Sequence, residues 1–110
     1  MGREHILQAA KEFTGNAFGI AEGVMGLFDG SDPTNDSGST MEVGRWLRWP
    51  ILLVVPCQNS GRSITAAIQG FVAEAGGPEH FAGIILNRLN SESHAAVSYT
   101  HLTLPTKRIV

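Results

Sequence analysis

The residues best suited to chemistry lie in one glycine-punctuated run, Glu22-Gly-Val-Met-Gly-Leu-Phe-Asp-Gly30. It carries two carboxylates seven positions apart, Glu22 and Asp29. A hard oxygen ligand such as Glu22 suits Mg²⁺. Two carboxylates held near one another repel unless a cation lies between them. Glycines let a backbone close tightly around phosphate oxygens. Such a run could therefore support metal-assisted work on phosphate or carboxylate groups. Each acid also has a plainer reading. Glu22 could be satisfied by neighbouring backbone N–H groups, and Asp29 before Gly30 is a common turn pair.

Three further polar clusters follow. Ser39 and Thr40 suit the N-terminus of a helix, a place that also attracts anions. Arg62, in the stretch Gln58–Ser63, suits a carboxylate partner. Asn87 can present both donor and acceptor to a base edge, and Arg88 can stack on a nucleotide. For Arg62 the commoner case is a solvated loop residue, and for Asn87 and Arg88 it is strand-to-helix capping.

These residues need elements to hold them. Glu4–Phe13 has helical spacing, with Ile6, Leu7, Ala10 and Phe13 on one side, and Thr14-Gly15-Asn16 ends it. Ala17–Ala21 reads as a short buried strand delivering Glu22 at its end. The stretch Gly30–Ser39 reads as a mobile, turn-rich surface loop. A helix then runs from Ser39 or Thr40 to about Arg48, with Glu42 placed for a capping box. The run Ile51–Val55 lacks polar alternation, as in a strand buried on both faces of a parallel sheet. Gly61–Ala75 is a helix with Ile64, Ala67, Ile68 and Phe71 inward, broken by Gly76-Gly77-Pro78. Phe81–Leu86 is a third strand, ending at Asn87 and Arg88, and Ser91 starts another helix. The alternation predicts the α/β class, a parallel sheet with flanking helices. Ligands of such sheets bind at the C-terminal strand ends.

Bulk properties narrow the function. A net charge of −2 over 110 residues offers no basic surface for nucleic acid. The longest apolar run, Pro50–Cys57, is too short to span a membrane. The single cysteine, Cys57, excludes an internal disulfide and fits a reducing cytoplasm. It reads as a small buried apolar residue rather than a nucleophile. Trp46 and Trp49 read as packing residues at the end of the second helix.

The last fourteen residues, VSYTHLTLPTKRIV, break the pattern. Local preference switches from helix to extended chain in mid-element. The string looks like translated sequencing-adapter DNA. Residues 1–96 are therefore read as the domain fragment and 97–110 as a non-native tail, the alternative being a native C-terminal strand.

The segments EGVMGLFDG (22–30), GST (38–40), PILLVV (50–55), GRSITAAIQGF (61–71) and GIILNR (83–88), with a trailing His94, resemble cobyrinic acid a,c-diamide synthase, including the hydrogenobyrinic acid type. The resemblance covers Arg3 to about Ala96. It implies part of a P-loop NTPase domain similar to dethiobiotin synthetase. It also implies an ATP- and glutamine-dependent ligase that amidates the a- and c-side-chain carboxylates of the corrin through a phosphorylated carboxylate. ATP and Mg²⁺ are the implied cofactors. Glutamine-derived ammonia would come from a glutaminase domain missing from this chain. By the same resemblance, Glu22 is a catalytic residue and the Mg²⁺ ligand. Asp29 is its catalytic partner, orienting substrate, holding a second Mg²⁺ or helping to deprotonate incoming ammonium. Asn87 and Arg88 are the nucleotide-binding residues. Ser39, Thr40 and Arg62 are candidates for the carboxylate-rich corrin.

The chain departs from the family in three ways. It has no G-x-x-x-x-G-K-[ST] loop, and its only lysines are Lys11 and Lys107. The glutaminase domain is absent, so Met1 reads as an internal start and the chain alone is expected to be inactive. Pro56-Cys57 stands where many relatives have Asp-Ala. The other readings are a partner-binding P-loop ATPase of the septum-site or partition type, and an inactive remnant with an exposed sheet edge.

Overall fold

The computed structural model describes residues 2–58 and 61–89, and the backbone of 108–109. It divides into two compact units, residues 1–49 and 50–110.

The first unit holds two helices. Helix α1, Arg3–Thr14, ends on Gly15, whose φ of 50° turns the chain while its N–H bonds to Lys11 O at 3.0 Å. It packs against helix α2, Thr40–Leu47. Ser39 caps α2, its Oγ accepting from Glu42 N–H at 3.2 Å. Glu42 reaches back to Gly38 N–H at 3.1 Å, one residue before the partner of the usual capping box. At the other end Arg48 takes the left-handed conformation, φ 58°, so that Arg48 N–H and Trp49 N–H bond Arg45 O and Gly44 O.

One expectation fails in this unit. Ala17–Ala21 forms no strand: the chain is extended there without pairing, and Phe18 and Ile20 are about nine-tenths exposed. A strand persists only where a ladder satisfies its backbone, and among its described residues this unit offers no strand to pair with. Glu22 thus follows an unpaired extended segment rather than a sheet strand. The stretch after Gly30 is a turn-rich surface segment, closed by its own hydrogen bonds. Ser31 N–H and Oγ both donate to Ser37 O, at 2.8 and 3.0 Å. Asp32 accepts from Thr34 N–H at 2.8 Å, Thr34 Oγ1 at 2.7 Å and Asn35 Nδ2 at 3.1 Å. Asp36 pairs with Arg45 of α2. Short polar side chains that favour turns here also knit the turn together.

The second unit carries the sheet. Strand β1, Ile51–Pro56, runs parallel to β2, Phe81–Asn87, in the register Leu53↔Ile84 to Pro56↔Asn87. The crossover between them contains helix α3, Ser63–Ala75, and a short 3₁₀ turn, Pro78–His80. A two-residue strand β3, Arg108–Ile109, pairs parallel with β2 at Ile85 and Leu86. The order is β1-β2-β3. The expected α/β class, a parallel sheet with flanking helix, is what this unit builds.

Its core is Val55, Cys57, Ile64, Ile68, Ile84 and Leu86, with Leu53, Val72 and Leu89 against it. The inward face of α3 differs from expectation. Ile64, Thr65, Ile68 and Ala75 are buried, Ala67 is exposed and Phe71 only half-buried. The β1 strand is also not buried on both faces. Leu53 and Val55 turn to the core while Leu52 and Val54 are each 54 % exposed. Alternate side chains of a strand take opposite faces, and the core cluster occupies one of them. The proposed helix from Ser91, His94 and most of the 97–110 tail lie outside the described residues.

Candidate functional site

In the first unit the Glu22–Gly30 run wraps onto the N-terminus of α2. Its three internal and terminal glycines show how. A β-carbon on Gly23 would run into the Thr40 side chain, with Cγ2 at 2.7 Å. One on Gly26 would overlap the Asp29 carboxylate, with Cγ at 3.0 Å. One on Gly30 would strike the backbone of Ser37–Ser39, with Ser39 N at 2.7 Å. Between these contacts Met41 N–H donates to Leu27 O at 3.0 Å. Leu27, Ser39 and Met41 are buried beneath. At each motif glycine a β-carbon would thus meet a close neighbour, and none of the three has positive φ.

Four of the expected residues come together here. Glu22 and Asp29 are exposed on the loop. Thr40 is half-buried against Gly23. Ser39 is 1 % exposed and its hydroxyl is engaged as the cap. The N–H groups around this helix start are largely taken. Gly38 bonds Glu42, Ser39 bonds Asp36 O, Met41 bonds Leu27 O, and Glu42 bonds the Ser39 hydroxyl. A helix start so occupied has little left to hold an anion.

The donor chemistry fits Mg²⁺ in a limited way. Among the described residues no three His, Cys, Asp or Glu side chains gather as a metal cage. Mg²⁺ rarely uses one, keeping waters and taking one or two carboxylates plus substrate phosphates. An exposed Glu22 suits that role. The triphosphate is different. The sequence lacks the lysine-bearing glycine loop that would cradle it, and the start of α2 is occupied.

The remaining candidates sit in the second unit, at the C-terminal ends of β1 and β2. Cys57 N–H donates to Asn87 O at 2.8 Å, which holds the two ends side by side. Asn87 turns its Oδ1 back to accept from Arg88 N–H at 3.1 Å. Arg88 takes positive φ, 59°, and its Nη1 reaches Gln58 Oε1 at 3.5 Å. Arg62 precedes α3 as its N-cap without a side-chain cap bond, and is exposed. Asn59 and Ser60, between them, lie outside the described residues. Cys57 is fully buried, and burial pushes its thiol up from the ordinary value. That agrees with a packing role.

Sequence reasoning missed the closed 31–37 turn and the Asp36–Arg45 pair that ties it to α2. The spacing of Asp32, Thr34 and Asn35 was the available signal, since each can bond the backbone two residues away.

Over 75 residues, 68 % of its length, the chain is 51 % identical to the cobyrinate a,c-diamide synthase of Syntrophotalea carbinolica. By sequence, this chain belongs with the cobyrinate and hydrogenobyrinate a,c-diamide synthases. The Priestia megaterium cobyrinate synthase is 40 % identical over 97 residues, 86 % of the chain. The hydrogenobyrinate a,c-diamide synthase of Streptomyces coelicolor is 40 % identical over 79 residues, 71 % of the chain. The chain spans only 16 %, 20 % and 16 % of these three synthases. No family model matches it, and no solved structure matches it significantly. Among the described residues, no helix is long and apolar enough to cross a membrane.

Proposed function

We propose that this chain forms part of an ATP- and glutamine-dependent ligase that amidates the a- and c-side-chain carboxylates of cobyrinic or hydrogenobyrinic acid. The observation that supports this best is the likeness to synthases of both corrins, combined with a Glu22–Gly30 loop in which a β-carbon at each glycine would meet the Thr40 side chain, the Asp29 carboxylate or the Ser37–Ser39 backbone. Bound Mg²⁺ would supply charge neutralisation at the transferring phosphoryl group. Glu22 holds it, and Asp29 orients the corrin carboxylate or takes a proton from ammonium. Ser39 contributes through the cap that shapes the loop's seat, and Thr40 offers the polar group beside it. Arg62 binds a corrin carboxylate. Asn87 and Arg88 bind the adenine nucleotide at the strand ends.

The reaction conserves its atoms simply. A corrin carboxylate oxygen attacks the γ-phosphorus and ADP leaves. Ammonia adds to the acyl carbon, a proton is lost, and phosphate leaves with that carboxylate oxygen. The 110-residue chain alone does not turn over, because it lacks the lysine-bearing glycine loop that cradles the triphosphate. The parent domain is a P-loop NTPase of dethiobiotin synthetase type, working in the cytoplasm with a glutaminase domain.

The test uses a family-length synthase carrying this chain's sequence in place of its own equivalent stretch. Corrin labelled with ¹⁸O in its carboxylates is supplied with ATP and glutamine. Diamide with ¹⁸O in the released phosphate is expected. Diamide without ¹⁸O transfer refutes the phosphorylated carboxylate, and no diamide from a folded protein refutes the assignment.

A further inference from the structure

Gly26 and Asp29 close one turn, with Asp29 N–H donating to Gly26 O at 2.9 Å. The Asp29 side chain then folds back over the turn it ends. A β-carbon on Gly26 would overlap Asp29 Oδ2 and lie 3.0 Å from Cγ and 3.7 Å from Cβ. Asp29 supplies all three of these nearest atoms. The Gly26 backbone is not left-handed, so alanine could adopt it. What excludes a side chain at position 26 is the carboxylate, not the fold.

The other two motif glycines differ. Gly23 is closed by the Thr40 side chain, including its Cβ, and Gly30 by backbone. Only at Gly26 is the obstacle the end of a short flexible side chain bearing a charge. Such an end moves at little cost, so a methyl group there would shift the carboxylate and leave the turn standing.

We propose that Gly26 is a positioning residue for Asp29: the side chain it lacks is the seat in which the Asp29 carboxylate rests. The proposal builds on the reading of Asp29 as a reactive-site group. Gly26 touches no substrate and acts through Asp29 alone. A misplaced reacting group costs on the order of 100-fold in rate per ångström.

Two measurements test it. The first uses the 110-residue chain and needs no activity. Hα–Hβ couplings and nuclear Overhauser contacts of Asp29 are compared in the natural chain and in Gly26→Ala. Lost Gly26–Asp29 contacts and changed Asp29 couplings are expected, with the Thr34 amide resonance unmoved. Unchanged Asp29 couplings overturn the proposal, as does loss of folding in Gly26→Ala while Gly26→Ala/Asp29→Ala also fails to fold.

The second uses the family-length synthase in a double-mutant cycle. Gly26→Ala should lower kcat on the order of 100-fold with KM little changed. In an Asp29→Ala background the same substitution should change kcat less than about two-fold, because the group it displaces is gone. Equal losses in both backgrounds overturn the proposal. If Asp29→Ala alone leaves kcat intact, the reading of Asp29 in the reaction fails. The couplings then still decide whether Gly26 seats the carboxylate.

Discussion

Replacing Gly30 with alanine should loosen the whole of the loop that carries the candidate carboxylates. Gly30 does not need a positive φ, so the penalty is steric. The new methyl group would lie 2.7 Å from Ser39 N and 2.9 Å from Gly38 C, and closer still to Ser37 O. All three are backbone atoms, and none can swing aside as a side chain would. Relief requires parting the Ser31–Ser37 closure or lifting Ser39 from the start of α2. Overpacking of this kind costs about 1–3 kcal/mol, and losing the Ser39 cap costs about 1 kcal/mol more. The expected loss is about 2–4 kcal/mol, a large part of what so small a unit can have. Both tryptophans, Trp46 and Trp49, belong to the same unit, so their fluorescence during urea unfolding reports on it directly. With a slope of about 1–2 kcal/mol per molar urea, the midpoint should fall by roughly 1–4 M. A midpoint within about 0.3 M of the natural chain, at the same slope, would refute the packing argument.

Other perturbations should act locally. Gly70, inside α3, would meet nothing within 4 Å on gaining a β-carbon. Gly70→Ala should therefore stabilise the second unit by about 0.5–1 kcal/mol, seen as a raised thermal midpoint in circular dichroism at 222 nm. Cys57 should resist thiol reagents in the folded chain and react only as fast as the second unit opens, because it is fully buried and its thiol is pushed up. Rapid stoichiometric labelling in native buffer would contradict that. The Asp32 carboxyl is held below its ordinary value of 3.8, chiefly by the Thr34 hydroxyl and then by the Thr34 amide. Its contribution to the 31–37 turn is thus fully present above pH 3.8 and is lost as pH falls through the lower folded value. The Thr34 amide resonance should titrate with a midpoint below 3.8, and Asp32→Asn should abolish that titration.

Helices were the most legible part of the sequence. Glycine stops at Gly15 and Gly76, the Ser39–Glu42 spacing and the apolar periodicity fix α1, α2 and α3 to within a few residues. The parallel pair β1–β2 follows from two uniformly apolar runs separated by a helix. What those runs do not say is which face these residues cover, so the exposure of Leu52 and Val54 was hidden. The extended run Ala17–Ala21 shows the same limit from the other side. Its side chains suit a strand, but strand formation depends on a partner that local sequence does not reveal. At the candidate site the carboxylates were legible by type, whereas the glycines' purpose was not. Their spacing suggests a backbone closing around phosphate oxygens, whereas in the structure they make room for Thr40, Asp29 and the Ser37–Ser39 backbone. The Ser39 hydroxyl was readable as a cap from its spacing to Glu42, and that is where it is spent.

The most direct test of the account is the kinetic effect of Glu22→Gln in the family-length synthase bearing this sequence. The substitution keeps the shape and removes the charge that would hold Mg²⁺. The account predicts diamide formation reduced at least on the order of 100-fold, with part of the loss recovered as Mg²⁺ is raised, and unfolding by urea unchanged. Diamide formation at the natural rate and with the natural Mg²⁺ dependence would contradict the claim that this loop carries the reactive carboxylates.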